Sequence, residues 1–195
     1  MFVRLAANFV DILVTYGIIE ETRKRLYEYG FELLLSSVAG IAALFFLSVL
    51  VGKPTAWIPY LLGFIPFRLT GGGYHAKSHS SCITLFSVAY LVSMLIDNEI
   101  NKVSCYGMMI NFWIIVLYLT VAPVQATNKP VPVRMRKKHR RFGISIAVLN
   151  MFLGILEVSH LFRIEAPLMY YIGNTFAGIS ILVGFITNKR REGKT

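Results

Sequence analysis

Three stretches of the chain carry no charged side chain and are each long enough to cross a lipid bilayer: residues 33–51, 103–128 and 166–188. A helix needs about 20 apolar residues to span roughly 30 Å of hydrocarbon, because each residue rises about 1.5 Å. Inside hydrocarbon every backbone N–H and C=O must be satisfied within the segment, so such runs fold as helices. Residues 142–162 pass the same test provided their one acid, Glu157, sits near a membrane surface. Two shorter runs, 54–67 and 83–96, read either as full spans or as re-entrant segments. Composition agrees: 55% of the 195 residues are hydrophobic and only 15% are charged. A soluble domain keeps about a quarter of its residues charged.

The first 19 residues differ from these runs. Arg4, Asn8, Asp11 and Thr15 alternate with Phe2, Leu5, Phe9, Ile12, Leu13 and Tyr16 at helical spacing, giving one polar and one apolar face. The segment lacks the basic start and small-residue cleavage site of a signal peptide. It reads as a helix lying in the membrane interface, with an extra helix packed on the bundle as the alternative.

Charge sets orientation. With six membrane segments, all 20 lysines and arginines except Lys53, Lys102 and Arg163 fall on one side. Cytoplasmic loops collect Lys and Arg, so both termini are expected in the cytoplasm. The net charge of +10 is assigned to anionic lipid or an acidic partner, and no nucleic acid is expected. The resulting map is an all-α integral membrane fold with about six transmembrane or re-entrant helices behind an N-terminal amphipathic helix. It forms one domain over residues 1–195. An interfacial helix and basic turn occupy 1–30, and membrane segments occupy 31–52, 54–69, 82–97, 103–127, 142–162 and 166–188. A glycine-rich loop covers 68–82 and a basic cytoplasmic loop covers 128–141. Pro130 and Pro132 oppose helix in that second loop, and Val131 and Val133 favour an extended path.

The chemistry concentrates in Arg68-Leu-Thr-Gly-Gly-Gly-Tyr-His-Ala-Lys-Ser-His-Ser-Ser-Cys82. Three successive glycines free the backbone, leaving N–H groups to face a ligand or an oxyanion. A cysteine and a histidine suit nucleophilic catalysis, the imidazole taking the thiol proton, with Arg68 and Lys77 adding positive potential. In an unbroken helix His75 and Cys82 would share a face about 10 Å apart, so the chain between them must bend. Ser78, Ser80 and Ser81 can hydrogen-bond their own backbone and permit that bend. Two other readings stand beside this one. His75, His79 and Cys82 share a helical face and could hold zinc, with no acid nearby to serve as base or to orient a histidine. The plainest reading is a glycine turn, a solvated histidine and a small buried cysteine.

Residues 68–82 resemble the signature of the AgrB family in Arg68, Gly72, Gly73, Tyr74, His75, Ala76 and Cys82. A second match is Ala122-Pro123, then Asn128-Lys129-Pro130-Val131-Pro132-Val133-Arg134 with basic residues after it. The resemblance covers essentially the whole chain. It implies a membrane cysteine endopeptidase of peptide quorum sensing, with Cys82 as nucleophile and His75 as catalytic histidine. Arg68, Gly72, Gly73 and Ser78 would support or position the reacting groups. The implied substrate is a small AgrD-type propeptide whose acidic tail is removed through a thioester, the remainder closing to a thiolactone or lactone. Lys129, Arg134, Arg136, Lys137 and Lys138 would meet that tail or anionic lipid. A homodimer is also implied. No metal and no cofactor are expected. Cys105, Glu157 and His160 are read as packing or interfacial residues. The competing classes are a peptide transporter and a non-catalytic membrane scaffold. The charge split predicts that an alkaline phosphatase fused after Lys53 is active in cells and one fused after Lys194 is inactive. The reverse pattern would overturn the orientation.

Overall fold

The structure, a computed structural model, describes residues 2–74, 79–97, 103–124, 133–158 and 168–192. Among these the regular elements are helices. Helix α1 covers Phe2–Thr15, α2 Lys24–Leu50, α3 Trp57–Gly71, α4 His79–Asp97, α5 Val103–Thr120, α6 Val133–Val158 and α7 Leu168–Glu192. Two helical stretches, Glu21–Leu50 and Leu168–Arg190, are long and apolar enough to cross a membrane, and Ser80–Leu95 and Tyr106–Thr120 are shorter apolar helices. Helix α3 has 15 residues, which at about 1.5 Å each is shorter than a full span.

Several boundaries move from the sequence expectation. Residues 24–30, expected as a basic turn, begin α2. The glycine-rich loop is shorter than 68–82, because α3 runs on to Gly71 and α4 starts at His79. The segment expected at 103–127 leaves the helix after Thr120, where Pro123 disfavours helical geometry in the residue before it. The largest correction concerns the basic loop. Residues 134–141 are the first turns of α6, which starts at Val133, directly after Pro132. Lys, Arg and Met are strong helix formers, and no proline lies between Pro132 and Pro167 to stop them. Arg140 adds a reason, since its guanidinium donates to the Leu119 carbonyl in the last turn of α5. A cation there satisfies a carbonyl that has no helical partner and opposes the negative end of the helix dipole.

The packing is built on glycines that admit a neighbour's backbone or ring. A Cβ on Gly63 would meet the Tyr170 carbonyl, and one on Gly173 would meet the Tyr60 carbonyl, so α3 and α7 touch backbone to backbone. Rings fill the other gaps. Tyr118 lies on Gly143, Trp113 on Gly178 and Tyr171 on Gly107. Small residues at helix contacts serve apolar bundles well, because close approach maximises dispersion when lipid tails are as apolar as the side chains.

These contacts also fix direction. Tyr60 lies by Gly173 and Gly71 by Ile181, so α3 and α7 run parallel. Trp113 against Gly178 and Tyr171 against Gly107 make α5 parallel to both. Tyr60 against Tyr90 and Phe64 against Phe86 make α4 antiparallel to α3. Helix α2 follows α4 through Gly40 on Ile83 and Ser48 on Tyr90. Tyr118 on Gly143 and Met108 by Gly154 make α6 antiparallel to α5. One end of the bundle therefore gathers the C-termini of α3, α5 and α7 with the N-termini of α2, α4 and α6. The core has two layers: Leu44, Tyr60, Tyr90 and Met169 far from that end, and Phe67, Ile114, Tyr118, Ala177 and Ile181 near it.

Many apolar side chains face outward, among them Leu34, Val38, Phe46 and Leu50 on α2, Met109 and Phe112 on α5, and Leu149 and Phe152 on α6. Helix α1 packs on the bundle, the alternative weighed for it. It docks on α2 through buried Ala6 and Val10, through Phe9 against Phe31, and through an Asp11–Lys24 ion pair of 2.6 Å. It also leaves Val3, Leu5 and Ile12 exposed. Adding Cβ at Gly63 overpacks the α3–α7 contact, so Gly63→Ala is expected to lower stability by about 1–3 kcal/mol. Nothing lies within 4 Å of a Cβ on exposed Gly30, and Gly30→Ala should be neutral or up to about 1 kcal/mol stabilising. Thermal unfolding of both variants in one detergent checks the contrast.

Candidate functional site

The site lies at the end where α3 stops. Arg68 is in the last turn of α3, and the chain then reverses through Gly71, Gly72 and Gly73. Gly72 has φ +69° and Gly73 φ +119°, backbone states that L side chains rarely adopt. Space is also closed at both. A Cβ on Gly72 would strike the Val124 carbonyl, and one on Gly73 would lie 2.5 Å from Arg68 Nη1 and 2.8 Å from the Ser180 carbonyl oxygen. The triple glycine is thus needed for shape as well as for freedom.

Three neighbours hold the turn. Val124, just after the cis Ala122–Pro123 peptide, pairs with it as a parallel bridge, and its N–H donates to the Gly71 carbonyl at 2.9 Å. On α7, the Ser180 carbonyl accepts the Tyr74 N–H at 2.8 Å. The third is Arg68 itself. Nη1 donates to the Gly72 carbonyl and to Ser180 Oγ, both at 2.8 Å, and Nη2 donates to the Tyr74 carbonyl at 2.6 Å. Beneath the turn, the buried Tyr118 hydroxyl donates to the Phe67 carbonyl at 3.1 Å and lies against the Thr70 hydroxyl. The end of α3 is thereby tied to α5, and through the Tyr118 ring to α6.

Cys82 sits in the first turn of α4 as an exposed free thiol. It stands at the same end of the bundle as Arg68, because α4 runs antiparallel to α3. The expectation of a small buried cysteine therefore fails. Of the expected site residues, the structure brings together Arg68, Gly72, Gly73 and Cys82. His75, Ser78 and Lys129 lie outside the described residues, as do the side chains of His79, Arg134 and Cys105. Lys137 and Lys138 line an open groove of about 670 Å³ with Met135, Arg141, Phe142 and Ser145 on the first turns of α6. Arg136 is on the same turns. This groove belongs to the same end of the bundle as the glycine turn.

Sequence reasoning missed Ser180, Gly184, Val124 and Tyr118. A signal for one pair was present. Small residues spaced i, i+4 in an apolar run, as Ser180 and Gly184 are, mark places where another backbone can approach. Val124 carried no such mark beyond its place after a proline. The strain at Gly73 gives a test of this geometry: Gly73→Ala should cost about 1–3 kcal/mol, read as a lowered unfolding midpoint. An unchanged midpoint would contradict the turn as described.

The family described as AgrB, Accessory gene regulator B, matches residues 6–187. A protein of Clostridium perfringens strain SM101 described as AgrB-like is 23% identical over 147 residues, which is 71% of this chain and 69% of that protein. A second AgrB-like protein, from C. perfringens strain 13, is 22% identical over 163 residues, 80% of this chain and 75% of the relative. No solved structure matches the chain.

Proposed function

The chain belongs to the accessory gene regulator B family, and from that premise we propose that it is a multi-pass membrane cysteine endopeptidase that matures an AgrD-type propeptide. The family takes part in processing the autoinducing peptide of accessory gene regulation. The observation that carries the finer reading is an exposed cysteine at the same end of the bundle as an arginine locked to a glycine turn.

The membrane reading rests on the outward apolar faces of α2, α5 and α6, which would otherwise stand in water. Lys and Arg crowd the end holding the site, as a cytoplasmic face does. The propeptide's amphipathic leader would partition to that interface, and its acidic tail would meet the α6 groove with Lys137, Lys138 and Arg141. Exposed ion pairs contribute about 1 kcal/mol or less each, so the groove orients the tail rather than binding it tightly. Anionic lipid would use the same cations.

Chemistry then follows from the residue types. The Cys82 sulfur attacks the carbonyl carbon before the tail, while His75 takes the thiol proton and delivers it to the departing amine. The carbonyl oxygen carries negative charge in passing. Arg68 is the donor of the described site suited to it. The product is a thioester at Cys82 and a free tail. A thiol or hydroxyl of the bound peptide next attacks the thioester carbonyl, closing the ring, and the Cys82 sulfur leaves and regains a proton. Exclusion of water near the membrane protects the thioester from hydrolysis until the ring closes.

Co-expression with a candidate propeptide tests the reading by mass spectrometry. The intact chain should yield the freed tail and a peptide adduct on Cys82. Cys82→Ala should yield neither, and His75→Ala should slow cleavage by roughly 10²–10⁴-fold. Cleavage by Cys82→Ala at the parental rate would reject a peptidase, whereas peptide export that persists without cleavage would favour a transporter.

A further inference from the structure

Most hydroxyl side chains inside this bundle bond to their own helix. Ser48 donates to the Leu44 carbonyl, Ser93 to Ala89, Thr175 to Tyr171 and Thr187 to Val183, each four residues back. That is the ordinary way for Ser and Thr to hide a hydroxyl in an apolar helix. Ser180 differs. Its Oγ accepts from Arg68 Nη1 at 2.8 Å, across 112 residues of sequence. Its carbonyl accepts the Tyr74 N–H at 2.8 Å as well. One residue of α7 therefore grips both the guanidinium and the far end of the turn.

Gly184, one helical turn on, makes the grip possible. A Cβ there would lie 2.6 Å from Gly73 C and from Tyr74 N. Without it the turn rests directly on the α7 backbone, where the Ser180 carbonyl can be reached.

We propose that Ser180 is a positioning residue for the reaction at Cys82, holding Arg68 by a neutral acceptor so that its orientation is fixed and its full positive charge stays available to the substrate. This rests on the peptidase reading. Among the described residues, Arg68 makes no ion pair; its partners are the Gly72 and Tyr74 carbonyls and the Ser180 hydroxyl. A carboxylate at position 180 would orient the guanidinium equally well and cancel its field. A hydroxyl orients it without cancelling anything. Those three bonds use three of the five guanidinium N–H groups. The remaining donors and the undiminished charge serve the oxyanion that forms when sulfur attacks. In a site of low dielectric, a donor fixed beforehand stabilises such a charge without reorganising during the reaction.

The test measures kcat and KM for propeptide cleavage, and thermal unfolding, in detergent-solubilised full-length protein. Ser180→Ala should lower kcat about tenfold, the worth of one hydrogen bond to a charged group, with KM unchanged and the protein still folded at the assay temperature. Ser180→Asp should lower kcat further while unfolding no earlier than Ser180→Ala, because the new carboxylate pairs with Arg68. Parental kcat in Ser180→Ala, or a loss accounted for by unfolding at the assay temperature, would overturn the positioning role. Ser180→Asp as active as Ser180→Ala would overturn the charge argument. Cys82→Ala is assayed alongside. If it still cleaves, the peptidase reading itself has failed; if it is inactive while Ser180→Ala is unaffected, only Ser180 is misassigned.

Discussion

A guanidinium placed among apolar helices must find oxygen atoms, because an unmet charge away from water costs far more than one hydrogen bond supplies. Arg68 meets this constraint with two carbonyls of its own turn and one hydroxyl of α7. The arrangement dictates much else at this end of the bundle. Residues 72–74 must curl back for their carbonyls to face the arginine, so Gly72 and Gly73 take positive φ. The turn must also lie flat on α7, so Gly184 has no side chain to spare.

The same economy of space extends up the bundle. Helices α3 and α7 approach through Gly63 and Gly173 until carbonyls occupy the places of side chains. That contact sets the distance at which Arg68 reaches Ser180, since both residues ride on the same pair of helices. Tyr118 supplies the lateral brace, with its hydroxyl under the end of α3 and its ring on Gly143 of α6. A rigid support of this kind is what a reacting constellation requires, because small misplacements of its groups are costly.

Charge is distributed along the bundle to the same purpose. The alternating helix directions bring Arg68, Cys82 and the first turns of α6 to one end, with a basic groove beside the glycine turn. The polar residues buried elsewhere, Asn111, Asn150 and Asn174, belong to the middles of α5, α6 and α7.

The sequence by itself determined the helical character, through uncharged runs that can satisfy their backbones only internally, and it singled out Arg68, the triple glycine and Cys82 as the candidate site. It also showed the charge asymmetry between the two ends. Other features were illegible in it. Residues 134–141 looked like a loop because prolines precede them and charge fills them, yet those residue types are good helix formers and one of them caps α5. Ser180 looked like any serine that bonds back along its own helix, and Val124 like the end of a span. What each does depends on a partner far away in sequence, Arg68 for one and Gly71 for the other. Local propensity and periodicity report on neighbours within a turn or two of helix, whereas the pairing of α3 with α7 arises only once glycine contacts bring the helices together. Tertiary packing therefore decided which hydroxyl would hold the arginine.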